Sequence, residues 1–179
     1  MKNNKQILFL TEAGVIAALY AVLTYVAAMF NLAYGPVQFR FSEALTVLPV
    51  FTPAAVPGLA IGCLISNIGS SLGIVDMVFG TLATLLAAIT GRLLRKITIK
   101  GIPLLSVLMP VIFNAVVIGL EIAALSDAGS FSLSFVTFGS FLTNALSVGA
   151  GELVVCLVLG IPLILAIKKT GLERQFLNR

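Results

Sequence analysis

The sequence predicts an all-α membrane protein, a bundle of six transmembrane helices with both termini in the cytoplasm. Of its 179 residues, 59% are hydrophobic and only 10% are charged, whereas a typical soluble domain carries about 25% charged residues. The mean hydropathy is +1.13. Apolar runs of a length that crosses a bilayer, about 20 residues, recur along the chain with short polar segments between them.

The helices follow from these runs and from the turn signals between them. The first run, 7–30, is longer than the apolar part of a signal peptide, about 7–15 residues, so a retained helix is favoured over a cleaved leader. The charge-free stretch 44–75 contains Pro49, Pro53 and Pro57, which favours a turn and a division into two short helices. We expect a single integral-membrane domain over residues 1–179. Its predicted helices are about 7–30, 42–53, 57–71, 77–94, 102–125 and 136–167.

The basic residues give the number of crossings. Ten of the eleven Lys and Arg residues lie before the first helix, at or after the end of the fourth, or after the sixth. Because Lys and Arg favour the cytoplasmic side of short loops, six crossings place all three groups there, whereas five would place the middle group outside. Arg40 is then the one basic residue on the outer side. This distribution also argues against a nucleic-acid partner, although the formal net charge is +4.

Several classes of chemistry have no support in the sequence. Histidine, the commonest metal ligand and general base, does not occur, and Cys63 and Cys156 lie inside apolar runs, where cysteine is typically a packing residue. No phosphate-binding loop of the Gly-x-x-x-x-Gly-Lys type occurs. We therefore expect no metal, no cofactor and no catalytic residues in this chain.

Polar residues inside the predicted helices are the candidates for function, because they are costly in a bilayer. They concentrate in the outer half of the bundle, and the inner half is nearly all aliphatic, which indicates a cup open to the outside. Glu152, for example, lies roughly 24 Å from the cytoplasmic end at 1.5 Å per residue. The predicted substrate-binding residues are Tyr34, Gln38, Arg40, Glu43, Asp76, Asn114, Glu121, Asn144 and Glu152.

Simpler roles stay open for several of these residues. Asp76 is a candidate helix N-cap, and Arg40 and Glu43 are spaced to pair with each other. Asn114 and Asn144 are candidates for bridging helices. Since acids outnumber bases in the cup, we expect a cationic or donor-rich ligand.

The first helix carries small residues at intervals of four, Ala13, Ala17 and Ala21. Small residues at this spacing allow helices to approach closely in lipid. The face either packs within this bundle or docks onto another protein.

The segment 34–49 reads YGPVQFRFSEALTVLP. Together with six short helices, cytoplasmic termini, the alanine face and the polar outer cup, it resembles the substrate-binding S components of energy-coupling factor (ECF) vitamin transporters. The segment itself is similar to the signature of one branch, the queuosine-precursor transporter (QueT) family. The general resemblance covers almost the whole chain.

This resemblance implies a substrate-binding subunit in the plasma membrane of a prokaryote, and not an enzyme. Such a subunit captures its ligand from outside, docks through the first helix onto a transmembrane coupling protein, and depends on two cytoplasmic ATPases. The implied ligand is a 7-deazaguanine such as the aminomethyl form, with Glu43, Glu121 or Glu152 meeting its guanine-edge donors or its amine. Three alternatives stay open: an S component for another vitamin, a small membrane enzyme with acidic catalytic groups, and a membrane assembly factor.

Overall fold

The computed structural model describes residues 2–34, 38–70, 72–126 and 130–173, so positions 35–37 of the signature segment lie outside the described residues. The described chain is helical. Its α-helices are α1 (Lys2–Met29), α2 (Ala55–Ser66), α3 (Ile74–Leu93), α4 (Leu104–Ala123), α5 (Phe138–Val155) and α6 (Ile161–Lys169). A long 3₁₀ helix, Phe41–Val50, follows α1, and a π-helical segment, Cys156–Gly160, joins α5 to α6 without a break.

Four stretches are long and apolar enough to cross a membrane: Asn4–Met29, Ile74–Leu93, Leu104–Ala123 and Phe138–Lys169. Two further stretches, Phe41–Val50 and Ala55–Asn67, are apolar but short. At about 2.0 Å per residue for a 3₁₀ helix and about 1.5 Å for an α-helix, neither reaches across an apolar core of roughly 30 Å. The all-helical class is confirmed, while six crossings and cytoplasmic termini stay predictions.

The long 3₁₀ helix lies at the centre of the bundle. It contacts all six α-helices and the π segment, and α1 to α5 pack against one another in chain order. The proline-rich stretch divides the chain as predicted, since the 3₁₀ helix ends at Val50 and α2 begins at Ala55. Pro57 falls in the first turn of α2, where its missing N–H group leaves no helical hydrogen bond unmade.

The turn between α3 and α4 closes one end of the bundle. Ile99 and Ile102 exchange backbone hydrogen bonds of 2.9 and 3.0 Å, and the two residues between them, Lys100 and Gly101, both have positive φ. Two consecutive residues with positive φ are typical of a type I′ turn. Lys168 at the end of α6 donates a 2.6 Å hydrogen bond to the Gly101 carbonyl. Two of the basic groups found in the sequence therefore meet at this end.

An apolar core fills the bundle between the 3₁₀ helix, α4 and the π segment with α6. We call this group the apolar cluster, and its buried members are Val47, Phe51, Val107, Cys156, Ile164 and Ile167. Cys156 and Cys63 are free, buried thiols, as expected of packing residues.

Candidate functional site

Five ionisable side chains are buried together at the other end of the bundle from the α3–α4 turn. We call them the polar cluster: Arg40, Glu43, Asp76, Glu121 and Glu152. None is more than 3% exposed to solvent. They come from the start of the 3₁₀ helix, the first turn of α3, the last turn of α4 and the last turn of α5. All five were predicted as site residues, and only the tertiary packing brings them into one place.

Arg40 pairs with Asp76 and not with Glu43, so the predicted local pair is wrong. A guanidinium nitrogen, Nη2, lies 3.5 Å from an Asp76 carboxylate oxygen. Nε of Arg40 donates a 2.9 Å hydrogen bond to the Ala33 carbonyl, and the guanidinium lies 5.3 Å from the centre of the Tyr34 ring. Arg40 lies just before the 3₁₀ helix in extended backbone, and its side chain reaches Asp76 on α3.

Glu43 instead accepts a short hydrogen bond from the hydroxyl of Tyr20 on α1. Nearby, Thr24 of α1 donates a 2.7 Å hydrogen bond to Ser42. Both contacts fix the start of the 3₁₀ helix against α1. Tyr20 is fully buried, and the sequence signal that could have identified it is a hydroxyl-bearing aromatic inside an otherwise apolar helix.

Asp76 is not the N-cap of α3, because Gly73 holds that position with a φ of 57°. Asn67 donates a 2.9 Å hydrogen bond to the Asp76 backbone carbonyl. A Cβ atom at Gly80, the next turn of α3, would collide with this Asn67 amide. The glycine therefore makes room for Asn67. This neighbour of the polar cluster was not predicted, although it is the one amide side chain in the charge-free stretch 44–75.

Two members of the polar cluster, Glu121 and Glu152, come from the neighbouring helices α4 and α5. Glu121 on α4 interacts electrostatically with Asp76 and Arg40. Glu152 on α5 interacts with Glu43, with Arg40 and with the side chain of Asn114, which lies two turns before Glu121 on α4. Asn114 and Glu121, seven residues apart, share the buried face of α4.

The polar cluster and its neighbour Asn67 contain many buried polar atoms that have no hydrogen-bond partner among the described protein atoms. They are Nη2 of Arg40, Oε2 of Glu43, Oδ1 of Asn67, Oδ1 of Asp76, both carboxylate oxygens of Glu121 and Oε2 of Glu152. Such groups are normally satisfied in native proteins, because each one left without a partner is costly. One cation also faces four carboxyl groups, so the cluster has an affinity for added positive charge or hydrogen-bond donors.

The remaining predicted residues lie around the cluster. Gln38 is buried, and a Cβ atom at Gly151 of α5 would collide with its backbone carbonyl, so loop and helix are in direct contact next to Glu152. Tyr34 is half-buried and donates a 2.6 Å hydrogen bond to the Ser66 carbonyl; burial raises the pKa of its phenol above the ordinary value. Asn144 is also half-buried on α5, but no described contact joins it to the cluster.

A second loop packs over the same end of the bundle. The Phe131 ring lies 5.5 Å from the Phe79 ring, centre to centre, and Phe79 is one turn after Asp76 on α3. Leu125 and Phe131 pair as an isolated bridge that closes the loop at the end of α4. This loop therefore borders the polar cluster.

The small-residue face of α1 is used within the chain. Ala13, Ala17 and Ala21 are buried. Cβ atoms at Gly58 and Gly62 of α2 would meet the carbonyls of Ala13 and Ala17 at 2.8 Å, so α1 and α2 pack backbone to backbone. This agrees with the packing alternative, and a docking role for the three alanines stays a prediction.

A protein-family model described as QueT transporter matches residues 10–169 of the chain. The chain is also 39% identical over 94 residues to the "Queuosine precursor transporter QueT" of Lactococcus lactis subsp. cremoris (strain MG1363). This alignment covers 52% of the chain and 54% of the relative, so the chain spans about half the length of that curated protein. No solved structure matches the chain.

Proposed function

Because this chain belongs to the QueT transporter family and is a multi-pass membrane protein of the bacterial plasma membrane, we propose that it is the substrate-binding subunit of an ATP-driven ECF importer. Its substrate is a queuosine precursor of the 7-deazaguanine type, captured from outside. The polar cluster carries this proposal, because its buried side chains from four parts of the fold have unmet hydrogen-bonding capacity in one place. The name of the relative supplies the substrate class.

The chemistry of the cluster suits such a base. A 7-deazaguanine is flat and presents several N–H donors, and its aminomethyl form carries a positive charge. Four carboxyl groups around one guanidinium favour donors and positive charge over anions. A phosphate-bearing or carboxylate-bearing vitamin suits this cluster poorly.

The position of the cluster supports binding from outside. Helices α3 and α4 pack against each other and are joined by the tight turn at Lys100–Gly101, so Asp76 at the start of α3 and Glu121 near the end of α4 lie away from that turn. The turn end carries the basic residues, which favour the cytoplasm. With six crossings the polar cluster therefore opens outward.

Transport would require partners, since a binding subunit has no energy source of its own. We propose docking through α1 onto a transmembrane coupling protein that carries two cytoplasmic ATPases. Gly14 and Ala18 lie beside the buried alanines on the exposed side of α1, and Gly14 has open space where a Cβ would be. The exposed part of the small-residue face is the part that a partner helix can reach.

Calorimetric titration of the purified chain alone, in nanodiscs, tests the substrate. The panel contains 7-deazaguanines, guanine and common vitamins. We expect tight binding of a 7-deazaguanine and none of the vitamins. Binding of a different vitamin would support the role as a substrate-binding subunit but assign it another substrate. Chemical conversion of a ligand by the chain alone would indicate an enzyme. A folded protein that binds nothing would overturn the proposal in favour of an assembly role.

Uptake by cells that also supply the coupling protein and ATPases tests the docking surface. Ala18→Leu should abolish uptake and leave ligand binding by the isolated chain unchanged. Leu19→Met, at an exposed position about 100° around α1 from Ala18, is the control and should preserve both. Normal uptake by Ala18→Leu would exclude this side of α1 as the docking surface.

A further inference from the structure

The four carboxyl groups of the polar cluster differ in how many of their oxygens already have a protein partner. Glu43 is held by the Tyr20 hydroxyl, Asp76 is paired with Arg40, and Glu152 interacts with Asn114. Glu121 is fully buried, and both of its oxygens lack a hydrogen-bond partner among the described protein atoms. Glu121 is therefore the carboxylate with its full acceptor capacity available.

The same buried cluster contains a donor without a hydrogen bond. Nη2 of Arg40 has no hydrogen-bond partner, although Asp76 holds it at 3.5 Å, and Arg40 and Glu121 are close enough to interact electrostatically. The other described contacts of the Arg40 side chain, with the Ala33 carbonyl and the Tyr34 ring, fix its guanidinium in position. The two side chains thus offer one unsatisfied donor and two unsatisfied acceptors within one buried cluster.

We propose that Glu121 and Arg40 together read the edge of the ligand ring, and so determine the specificity of the site. This rests on the proposed function, in which the ligand is a 7-deazaguanine. The carboxylate of Glu121 accepts the ring N–H and the exocyclic 2-amino group, which are two parallel donors of the kind that a carboxylate binds in bidentate fashion. Arg40 donates to the adjacent carbonyl oxygen, and Asp76 is a positioning residue for Arg40.

The assignment predicts which bases the site rejects. An analogue without the 2-amino group leaves one oxygen of Glu121 buried and unpaired, and an analogue with an amine in place of the carbonyl sets a donor against Arg40. Sites built to bond a polar group discriminate strongly against ligands that lack it, because their own buried groups are then left unsatisfied. The rejection thus depends on Glu121 and Arg40, and not on the shape of the ring.

The experiment is a titration of two ligands, aminomethyl-7-deazaguanine and its analogue lacking the 2-amino group, against wild type and three variants. Wild type should prefer the parent ligand by about 100-fold, near the upper end of the effect of leaving one buried acceptor unpaired. Glu121→Gln, which keeps the shape but presents a donor where an acceptor is needed, should lose most of that preference. Glu152→Gln is the matched variant within the cluster and should weaken both ligands equally. Glu12→Gln, whose carboxylate accepts a hydrogen bond from Thr52 far from the cluster, should change nothing.

The outcomes separate this assignment from the proposed function. If wild type binds neither ligand, the proposed function fails. If wild type binds with the expected preference and Glu121→Gln keeps all of it, the assignment to Glu121 is wrong. If Glu121→Gln does not fold, the test uses wild type and a third ligand, the 2,6-diamino analogue, in which an amine replaces the carbonyl. Binding of this analogue as tightly as the parent would overturn the proposed recognition of the ring edge. A loss of affinity of at least about tenfold would support it.

Discussion

The polar cluster and the apolar cluster are both fully buried, and both are built on the same 3₁₀ helix, yet they differ in how well their groups are satisfied. Glu43 near the start of this helix lies among polar atoms without partners, while Val47, one turn later, packs into a closed group of aliphatic and aromatic side chains. Packing in the second region is complete in the protein alone. In the first region the protein offers hydrogen-bonding capacity that it does not use itself.

Under the proposed function, this difference separates the region that stabilises the fold from the region that binds the ligand. Buried carboxyl groups with unpaired oxygens are unfavourable in a membrane protein, so their presence opposes folding, and the proposed ligand would satisfy them. Packed aliphatic side chains gain dispersion contacts in lipid as they do in water. We therefore expect substitutions in the two regions to separate stability from ligand affinity.

The largest effect is expected from Arg40→Met, which removes the cation from the polar cluster. Four carboxyl groups then remain without a compensating charge, and breaking a buried pair in this way costs about 3–5 kcal/mol. The free energy of unfolding in detergent, measured by denaturant titration, and the ligand affinity should both fall. Arg92→Met, at a half-buried arginine that bonds the Pro49 carbonyl, is the control and should spare ligand binding.

The double variant Arg40→Met with Asp76→Leu sharpens this prediction. Because it removes both members of the ion pair, it should be less destabilised than the sum of the single variants. If the losses in unfolding free energy of the two single variants simply add, the Arg40–Asp76 pair does not couple the segment before the 3₁₀ helix to α3. The proposed difference between the polar and apolar clusters would then be contradicted.

Ile164→Ala should give the opposite pattern in the apolar cluster. Ile164 is fully buried, and its truncation leaves a cavity. Since the unfolded side chain would lie in lipid and not in water, the cavity term dominates, and we expect a loss of about 2 kcal/mol, near the low end for such substitutions. Ligand affinity should not change. Leu165→Ala, at a half-exposed neighbour on the same helix, is the control, and a fall in affinity with Ile164→Ala would contradict the separation.

A smaller effect is expected at the loop that borders the polar cluster. Phe131→Ala removes the ring contact with Phe79, and aromatic pairs of this kind contribute about 0.5–1.5 kcal/mol. If the loop retains the ligand, dissociation measured by stopped flow should become several-fold faster with little change in unfolding. Phe138→Ala, at a ring that is 79% exposed, should leave the rate unchanged.

The smallest effect is expected from Thr52→Val, a polar contact in the apolar half of the bundle. Thr52, in the turn before α2, donates a 2.9 Å hydrogen bond to Glu12 of α1, and we take the average of about 0.6 kcal/mol for hydrogen bonds between membrane helices as the scale of its contribution. Thermal unfolding should shift slightly and ligand affinity should stay constant. Thr90→Val, where the hydroxyl bonds within its own helix, provides the comparison, and an affinity change with Thr52→Val would show that the two regions are coupled.

Much of the helix pattern could be predicted because each helix has a local cause. Apolar runs bounded by charges predicted helices at 77–94 and 136–167, and the structure has Ile74–Leu93 and Phe138–Lys169. The proline-rich stretch predicted the division between the second and third elements. The 3₁₀ character of Phe41–Val50 and the π segment were not predicted, because composition gives a helical run without its hydrogen-bonding pattern.

The sequence by itself determined that the protein is helical, that it belongs in a membrane, and which polar residues are too costly to be there without a purpose. It did not determine their partners. Helical periodicity shows that Asn114 and Glu121 share a face, but only the packing of whole helices decides which faces meet, and so only the tertiary structure pairs Arg40 with Asp76, joins Glu43 to Tyr20 and buries the alanines of α1 against α2. These contacts join residues far apart in the chain, and no local pattern in a single sequence encodes them.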